Sequence, residues 1–256
     1  MKAIENRMSP KVPGKYHQLP PFLALFATGV PVLMYHKVGR PSLRVKTKGL
    51  YVSPSRFAKQ LKELKEAGFA TASLGEIATT SPGQKKIVLT FDDGYRNVFE
   101  NATQPLAEHG FRAIQFLVPN LIGGRNDWDI QYGEKPEPLM DAVQIREWLS
   151  AGHEIGSHSL SHARLTRLSV RDAREEIFAS KKKLEDLFGR AIEHFCYPFG
   201  DWNEPVRDLV MAAGYRTAVT TKFGVNTPET PTSTLFRITV RHPTRTLKIW
   251  KARLFK

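Results

Sequence analysis

Short apolar runs of strand length alternate with helix-patterned stretches along most of this chain. The runs are Pro31–His36, Lys86–Phe91, Phe111–Val118, His153–Ser157, His194–Tyr197, Thr217–Thr220 and Phe236–Val240. Between them lie segments with helical spacing and helical punctuation. Ser53-Pro54 pairs an N-cap serine with a proline at the first helical position, followed by Phe57, Leu61 and Leu64 on one face and Gly68 as the stop. Ser169 caps a segment reaching Phe188, with Val170, Ala173, Ile177, Leu184 and Leu187 as its apolar face and Gly189 closing it. Further helices are predicted near Val98–His109, Leu139–Ala151 and Glu204–Ala213. Regular strand–helix alternation predicts a parallel sheet or barrel, with chemistry at the C-terminal ends of the strands. A length of 256 residues suits one such unit.

Composition narrows the rest. One cysteine, Cys196, excludes an internal disulfide framework and a multi-cysteine zinc module. The net charge is +13, and the excess sits at both ends. Residues 1–62 carry 12 Lys/Arg against the single acid Glu5, and residues 230–256 carry seven Lys/Arg and no acid. Such ends suit docking on an anionic membrane surface, and a solvated basic face is the plain alternative. Residues 241–256 can form a basic amphipathic helix with Leu247, Trp250 and Leu254 on one side. No nucleic-acid partner is expected. The apolar stretch Phe22–Tyr35, broken by Gly29 and Pro31, falls short of the roughly 20 residues of a membrane span. It also makes a poor signal peptide, so a cytoplasmic location, at the membrane face, is expected over a secreted or periplasmic one.

Three constellations carry chemistry. Thr90-Phe91-Asp92-Asp93-Gly94 sets two carboxylates directly after an apolar strand. Adjacent residues of extended chain point in different directions, so one carboxylate can bind a metal while the other stays free as a base. A surface turn or helix cap uses the same letters. His158-Ser159-Leu160-Ser161-His162 follows another strand, and two histidines four apart can share a metal across one helical turn. Two histidines and one carboxylate leave positions open for water and substrate. The third is Tyr197-Pro198-Phe199-Gly200-Asp201-Trp202-Asn203, whose turn can aim backbone N–H groups at an oxyanion and whose aromatic faces suit sugar rings.

Together these residues resemble the polysaccharide deacetylases of carbohydrate esterase family 4, which carry the NodB homology domain. TFDDG matches that family's first motif, HSLSH its His-(Ser/Thr)-x-x-His motif, and YPFG is similar to its third. The likeness spans residues 31–240, leaving an irregular N-terminal arm at 1–30 and a basic tail at 241–256. It implies an α/β fold, a distorted (β/α) barrel with about seven parallel strands. It implies Asp92 as catalytic base and Asp93, His158 and His162 as ligands of a divalent metal, Zn²⁺ foremost, with Co²⁺, Ni²⁺ or Fe²⁺ as alternatives. Tyr197, Pro198 and Phe199 would form the substrate and oxyanion side. The implied reaction is metal-dependent hydrolysis of N-acetyl groups on amino sugars of a glycan or glycoconjugate.

Two departures stand out. The family's third motif has an arginine ahead of Pro-Tyr that orients the base, and here Cys196 stands near that place. Its late Leu-x-His motif, source of the general acid, is absent. Met34-Tyr35-His36 resembles a branch that includes the poly-N-acetylglucosamine deacetylases, which makes His36 the expected general acid and His242 the runner-up. A non-sugar amide hydrolase and a non-catalytic glycan-binding relative are the alternatives. A non-haem Fe(II) oxygenase also uses two histidines and a carboxylate, but with His-x-carboxylate close together; here the carboxylate comes first.

Overall fold

The computed structural model describes residues 12–42 and 45–241. Seven parallel strands form one curled sheet: β1 (Val32–Tyr35), β2 (Lys86–Phe91), β3 (Ile114–Leu117), β4 (Glu154–Ser157), β5 (His194–Cys196), β6 (Thr217–Val219) and β7 (Ile238–Thr239). Their spatial order is β7-β1-β2-β3-β4-β5-β6, and the two-residue strand Ala70–Thr71 adds to the start of β2. The curl closes without regular pairing: Leu235, just ahead of β7, bridges Val219 of β6, while β7 itself pairs with β1. The result is the expected distorted (β/α) barrel.

Among the described residues, five helices longer than two turns cover the outside: α1 (Pro54–Glu66), α2 (Arg96–His109), α3 (Ala142–Ser150), α4 (Val170–Phe188) and α5 (Glu204–Ala212). Ser53, Ser169 and Asn203 cap α1, α4 and α5 with their side-chain oxygens, and Asp141 with Gln144 forms a capping box on α3. One predicted helical face needs correction. Val170 and Leu187 are exposed on α4, and the buried stripe is Ala173, Ile177, Ser180 and Leu184. Ser180 is tolerated there because its hydroxyl lies 2.7 Å from Ser157 Oγ and 3.1 Å from Tyr215 Oη.

The two-residue period of the strands divides the core in two. Outward-facing Leu33, Tyr35, Leu89 and Phe91 pack under the helices, where Tyr35, Phe57, Phe91 and Trp148 form edge-on and tilted ring pairs 5.2–6.1 Å apart. Inward-facing Val32, Val88, Ile114, Phe116, Cys196 and Val219 fill the barrel. Gly156 is required inside, since a Cβ there would lie 2.6 Å from the Phe116 ring. The same alternation carries Met34 of β1 and His36 just beyond it, and Thr90 of β2 and Asp92 just beyond it, to the upper end of the interior.

Residues 12–30, irregular in pattern, still pack on the barrel. Tyr16, Phe22 and Phe26 are buried as one aromatic group, and Tyr16 N–H donates to the Thr239 carbonyl. No helix among the described residues is long and apolar enough to cross a membrane. His242 and the amphipathic pattern beyond Arg241 lie outside the described residues.

Candidate active site

Asp92 and Asp93 follow β2 immediately. Asp92 continues the extended ladder, its N–H donating to the Tyr35 carbonyl. Asp93 turns off it with a φ of 75°, and Gly94 follows at 79°. A Cβ at Gly94 would also meet Leu117 at 3.1 Å, so the turn depends on glycine. The two carboxylates therefore diverge, as the divided-roles reading requires. All four non-glycine residues with positive φ among the described residues, Asp93, Ser159, His162 and Phe199, belong to the three motifs. Backbone strain of this kind costs about 1–3 kcal/mol per residue and persists where surrounding structure imposes it.

His158 follows β4 and hangs on the neighbouring strand through its N–H to the Leu117 carbonyl. Its Nδ1 donates to the Cys196 carbonyl at 2.7 Å, which fixes the tautomer and frees Nε2 to face Asp93. His162 reaches the same point through a bend rather than the helical turn expected from spacing. Ser159 and His162 are both left-handed, and Ser159 Oγ accepts from the His162 N–H. Glu176 of α4 holds the bend from outside, accepting from Leu160 N, Ser161 N and Ser161 Oγ at 3.0, 2.9 and 2.6 Å.

Asp93 Oδ1 lies 3.3 Å from His158 Nε2 and 3.3 Å from His162 Nε2. These separations exceed those of charge-assisted hydrogen bonds, about 2.7–2.9 Å. They equal the donor–donor edge, roughly 3.3–3.4 Å, of a tetrahedron with metal bonds of about 2.0–2.1 Å. All three donors are buried, and one ligand atom from each lies within 4.8 Å of the others. The donor set thus fits a divalent ion of zinc type. A second close trio, Asp92, His158 and Cys196, does not fit. Both Asp92 oxygens are engaged by an arginine, and burial pushes the Cys196 thiol up, keeping it neutral.

That arginine is Arg237, which sequence reasoning missed. Its guanidinium donates to Asp92 Oδ1 at 2.7 Å and Oδ2 at 2.9 Å, to Thr90 Oγ1 at 3.2 Å and to the Thr220 carbonyl at 2.7 Å. Its Nη2 lies 3.2 Å from Cys196 Sγ. The guanidinium missing from the Cys196 position is therefore supplied next door by the segment entering β7. Burial favours the neutral acid at Asp92. The Arg237 charge and its hydrogen bonds, with His36 beside them, outweigh burial and hold the carboxyl below the usual carboxylate range.

His36 Nε2 stands 3.9 Å from Asp92 Oδ2 across the β1–β2 pair. Burial pushes its ring below the ordinary imidazole value, against the pull of Asp92 and Asp93. Its imidazolium is thus a stronger proton donor than free histidine. Tyr197 and Phe199 line the cavity with Gly200, whereas Pro198 is buried and has no N–H to offer. The Tyr197 hydroxyl is spent on the Ser233 carbonyl.

The long loop 119–138 contributes what no motif announced. Trp128 stacks on His162 with centroids 4.3 Å apart, and Phe199 meets the same ring edge-on at 4.7 Å. Burial, with the charge of Asp93, raises the Asp129 carboxyl, opposed by a hydrogen bond from Asn126. The loop is tied down by Glu134, which accepts from Lys46 N and Thr47 N, and by Glu137 on the buried Lys37. The half-open cavity measures about 600 Å³ and is lined by His36, Asp92, Asp93, His158, His162, Trp128, Phe199 and Arg241 among others. That volume falls in the range of small-molecule pockets.

Comparison with known proteins gives concordant results. The polysaccharide deacetylase family profile matches residues 79–218. YxkH of Bacillus subtilis strain 168, assigned to the polysaccharide deacetylases, is 28% identical over 217 residues, 82% of this chain and 71% of that protein. The peptidoglycan-N-acetylmuramic acid deacetylase PdaC of the same organism is 32% identical over 158 residues, 61% of this chain but 30% of its own length. A polysaccharide deacetylase structure from Bacillus cereus superposes with a TM-score of 0.69 at 29% identity, covering 87% of this chain and 68% of that one.

Proposed function

Because the chain belongs to the polysaccharide deacetylase family, we propose that it hydrolyses the acetamide of N-acetylated amino sugars in a glycan or glycoconjugate. The observation that carries this reading is one ionised carboxylate, Asp92, clamped by Arg237 beside three convergent donors in the cavity.

Asp93, His158 and His162 would hold a divalent cation. When bound, such an ion polarises the acetyl carbonyl and lowers the pKa of water toward about 7. Asp92 acts as general base. Its carboxyl is ionised throughout the neutral range, and the two-pronged Arg237 contact fixes its plane toward the cavity. His36 donates a proton to the departing amine nitrogen, which leaves poorly as an anion. Its Nε2 lies 3.9 Å from Asp92, so base and acid flank one point. The Tyr197–Gly200 turn, with Phe199 held left-handed, offers backbone polarity to the developing oxyanion. Trp128 and Phe199 give apolar faces for the sugar ring and dry the His162 side of the site.

The test is acetate release by zinc-loaded protein from N-acetylglucosamine oligomers, peptidoglycan fragments and lipid-linked N-acetylhexosamines. Asp92→Asn is the control, expected to lower the rate about 10²–10⁴-fold. Release that persists within a few-fold in the variant would overturn the assignment of the base.

A further inference from the structure

Arg237, Thr239 and Arg241 are alternate residues of one extended segment, so they share a face. The first clamps Asp92, and the other two line the cavity. The β7–β1 register pairs Thr239 with Met34, and the Val240 N–H donates to the Met34 carbonyl. Beyond the ends of these strands, His36 and Arg241 line the same cavity.

Two arginines line the cavity. Arg164 is committed, with its Nη1 3.1 Å from Asp201 Oδ2 and its guanidinium 4.1 Å over the Phe199 ring. Arg241 has no carboxylate partner among the described residues. Its stem lies against Gly49, whose Cβ would come 3.6 Å from Arg241 Cδ and Nη1. Its Nε is buried and lacks a hydrogen-bond partner. A buried donor without a partner is costly until something satisfies it. The carboxylates nearby do not serve: Asp92 is bound to Arg237, Asp93 faces the two histidines, and Asp129 accepts from Asn126.

We propose that Arg241 is a specificity-determining residue that binds an anionic substituent, a carboxylate or a phosphate, carried by the amino sugar in this cavity. The proposal rests on the deacetylase reading, because that reading puts an amino sugar in the cavity that His36 and Arg241 both line. The guanidinium presents paired donors whose fork matches either anion. A 1-phosphate and a 3-O-lactyl ether both place the charge next to the carbon that bears the nitrogen, and they share this chemistry.

The experiment uses three probes: N-acetylglucosamine, its 1-phosphate and its 3-O-lactyl ether. Binding is measured by calorimetry on zinc-loaded Asp92→Asn protein, and kcat/KM on protein with Asp92 intact, each with Arg241, Arg241→Gln and Arg241→Lys. With Arg241, one anionic probe is favoured over the neutral sugar by about 10–100-fold, the scale of a hydrogen bond to a charged group. Arg241→Gln collapses that ratio, and Arg241→Lys restores part of it. The favoured probe tells phosphate from carboxylate. Equal treatment of all three probes by the Arg241 protein overturns the proposal, as does a ratio unchanged in Arg241→Gln. Acetate release without anion preference sinks the Arg241 proposal alone. Anion-dependent binding without acetate release from any sugar sinks the deacetylase reading alone.

Discussion

Replacing Arg237 with methionine tests how this site keeps a buried base ionised. Arg237 is 1% exposed and its partner Asp92 is 3% exposed, so the variant leaves a carboxylate without its counter-charge in the barrel interior. Removing one member of a buried ion pair costs about 3–5 kcal/mol. The sign of the pH dependence sharpens the test. In the wild type the Asp92 pKa is depressed, so its contribution is fully present above the unfolded value of about 3.9 and is lost as pH falls through the folded value. Without Arg237, burial dominates and the folded pKa rises above the unfolded one. Stability then falls as pH rises above about 4, by up to 1.4 kcal/mol per pH unit, until the raised pKa is passed. The destabilisation relative to wild type therefore grows with pH. The assay is urea unfolding of chelated protein at pH 4, 5.5 and 7, joined to a double-mutant cycle with Asp92→Asn. Coupling above about 2 kcal/mol is expected for a pair in direct contact. In metal-loaded protein the acid limb of kcat/KM moves to higher pH, each unit of raised pKa costing tenfold in ionised base at lower pH. A destabilisation below about 1 kcal/mol that is flat with pH, with an unmoved acid limb, would refute the reasoning.

Other outcomes follow from the same geometry. Glu176→Ala removes three acceptor contacts from the bend carrying His162 without touching the donor set, so zinc affinity measured by competition with a chelator should fall about 10–100-fold. His153 lies at the opposite end of the barrel, tilted against Trp148 with ring centroids 4.1 Å apart, and burial lowers its pKa to about 4, with Arg112 adding to the effect. Its folded pKa lies below the unfolded value of about 6.5, so the unfolded chain binds the extra proton between those limits. Stability is present above pH 6.5 and falls by about 3 kcal/mol on acidification to pH 4. His153→Leu should flatten that slope in denaturant unfolding, and an unchanged slope would exclude His153 as its source.

Much of the fold was legible because it is locally encoded. Ser53-Pro54 and Ser169 cap helices by contacts within three residues, with no need of distant partners. The α4 stripe was misread at Val170 and Leu187 because periodicity places a face but not how far the neighbouring elements extend over it. The HSLSH spacing foretold two converging imidazoles. The route by which they converge, a left-handed bend held by Glu176, depends on a helix that packs from outside.

By itself the sequence determined the strand–helix alternation, the two carboxylates at a strand end and the histidine pair, since each depends on backbone geometry over a few residues. Only the tertiary structure decided which groups surround them. Arg237 reaches Asp92 across 145 positions of chain, and Trp128 reaches His162 from a loop with no periodic pattern. Neither contact has a local signature, because each arises from closure of the barrel. Closure brings the last strand beside the first and folds the long loop over the strand ends.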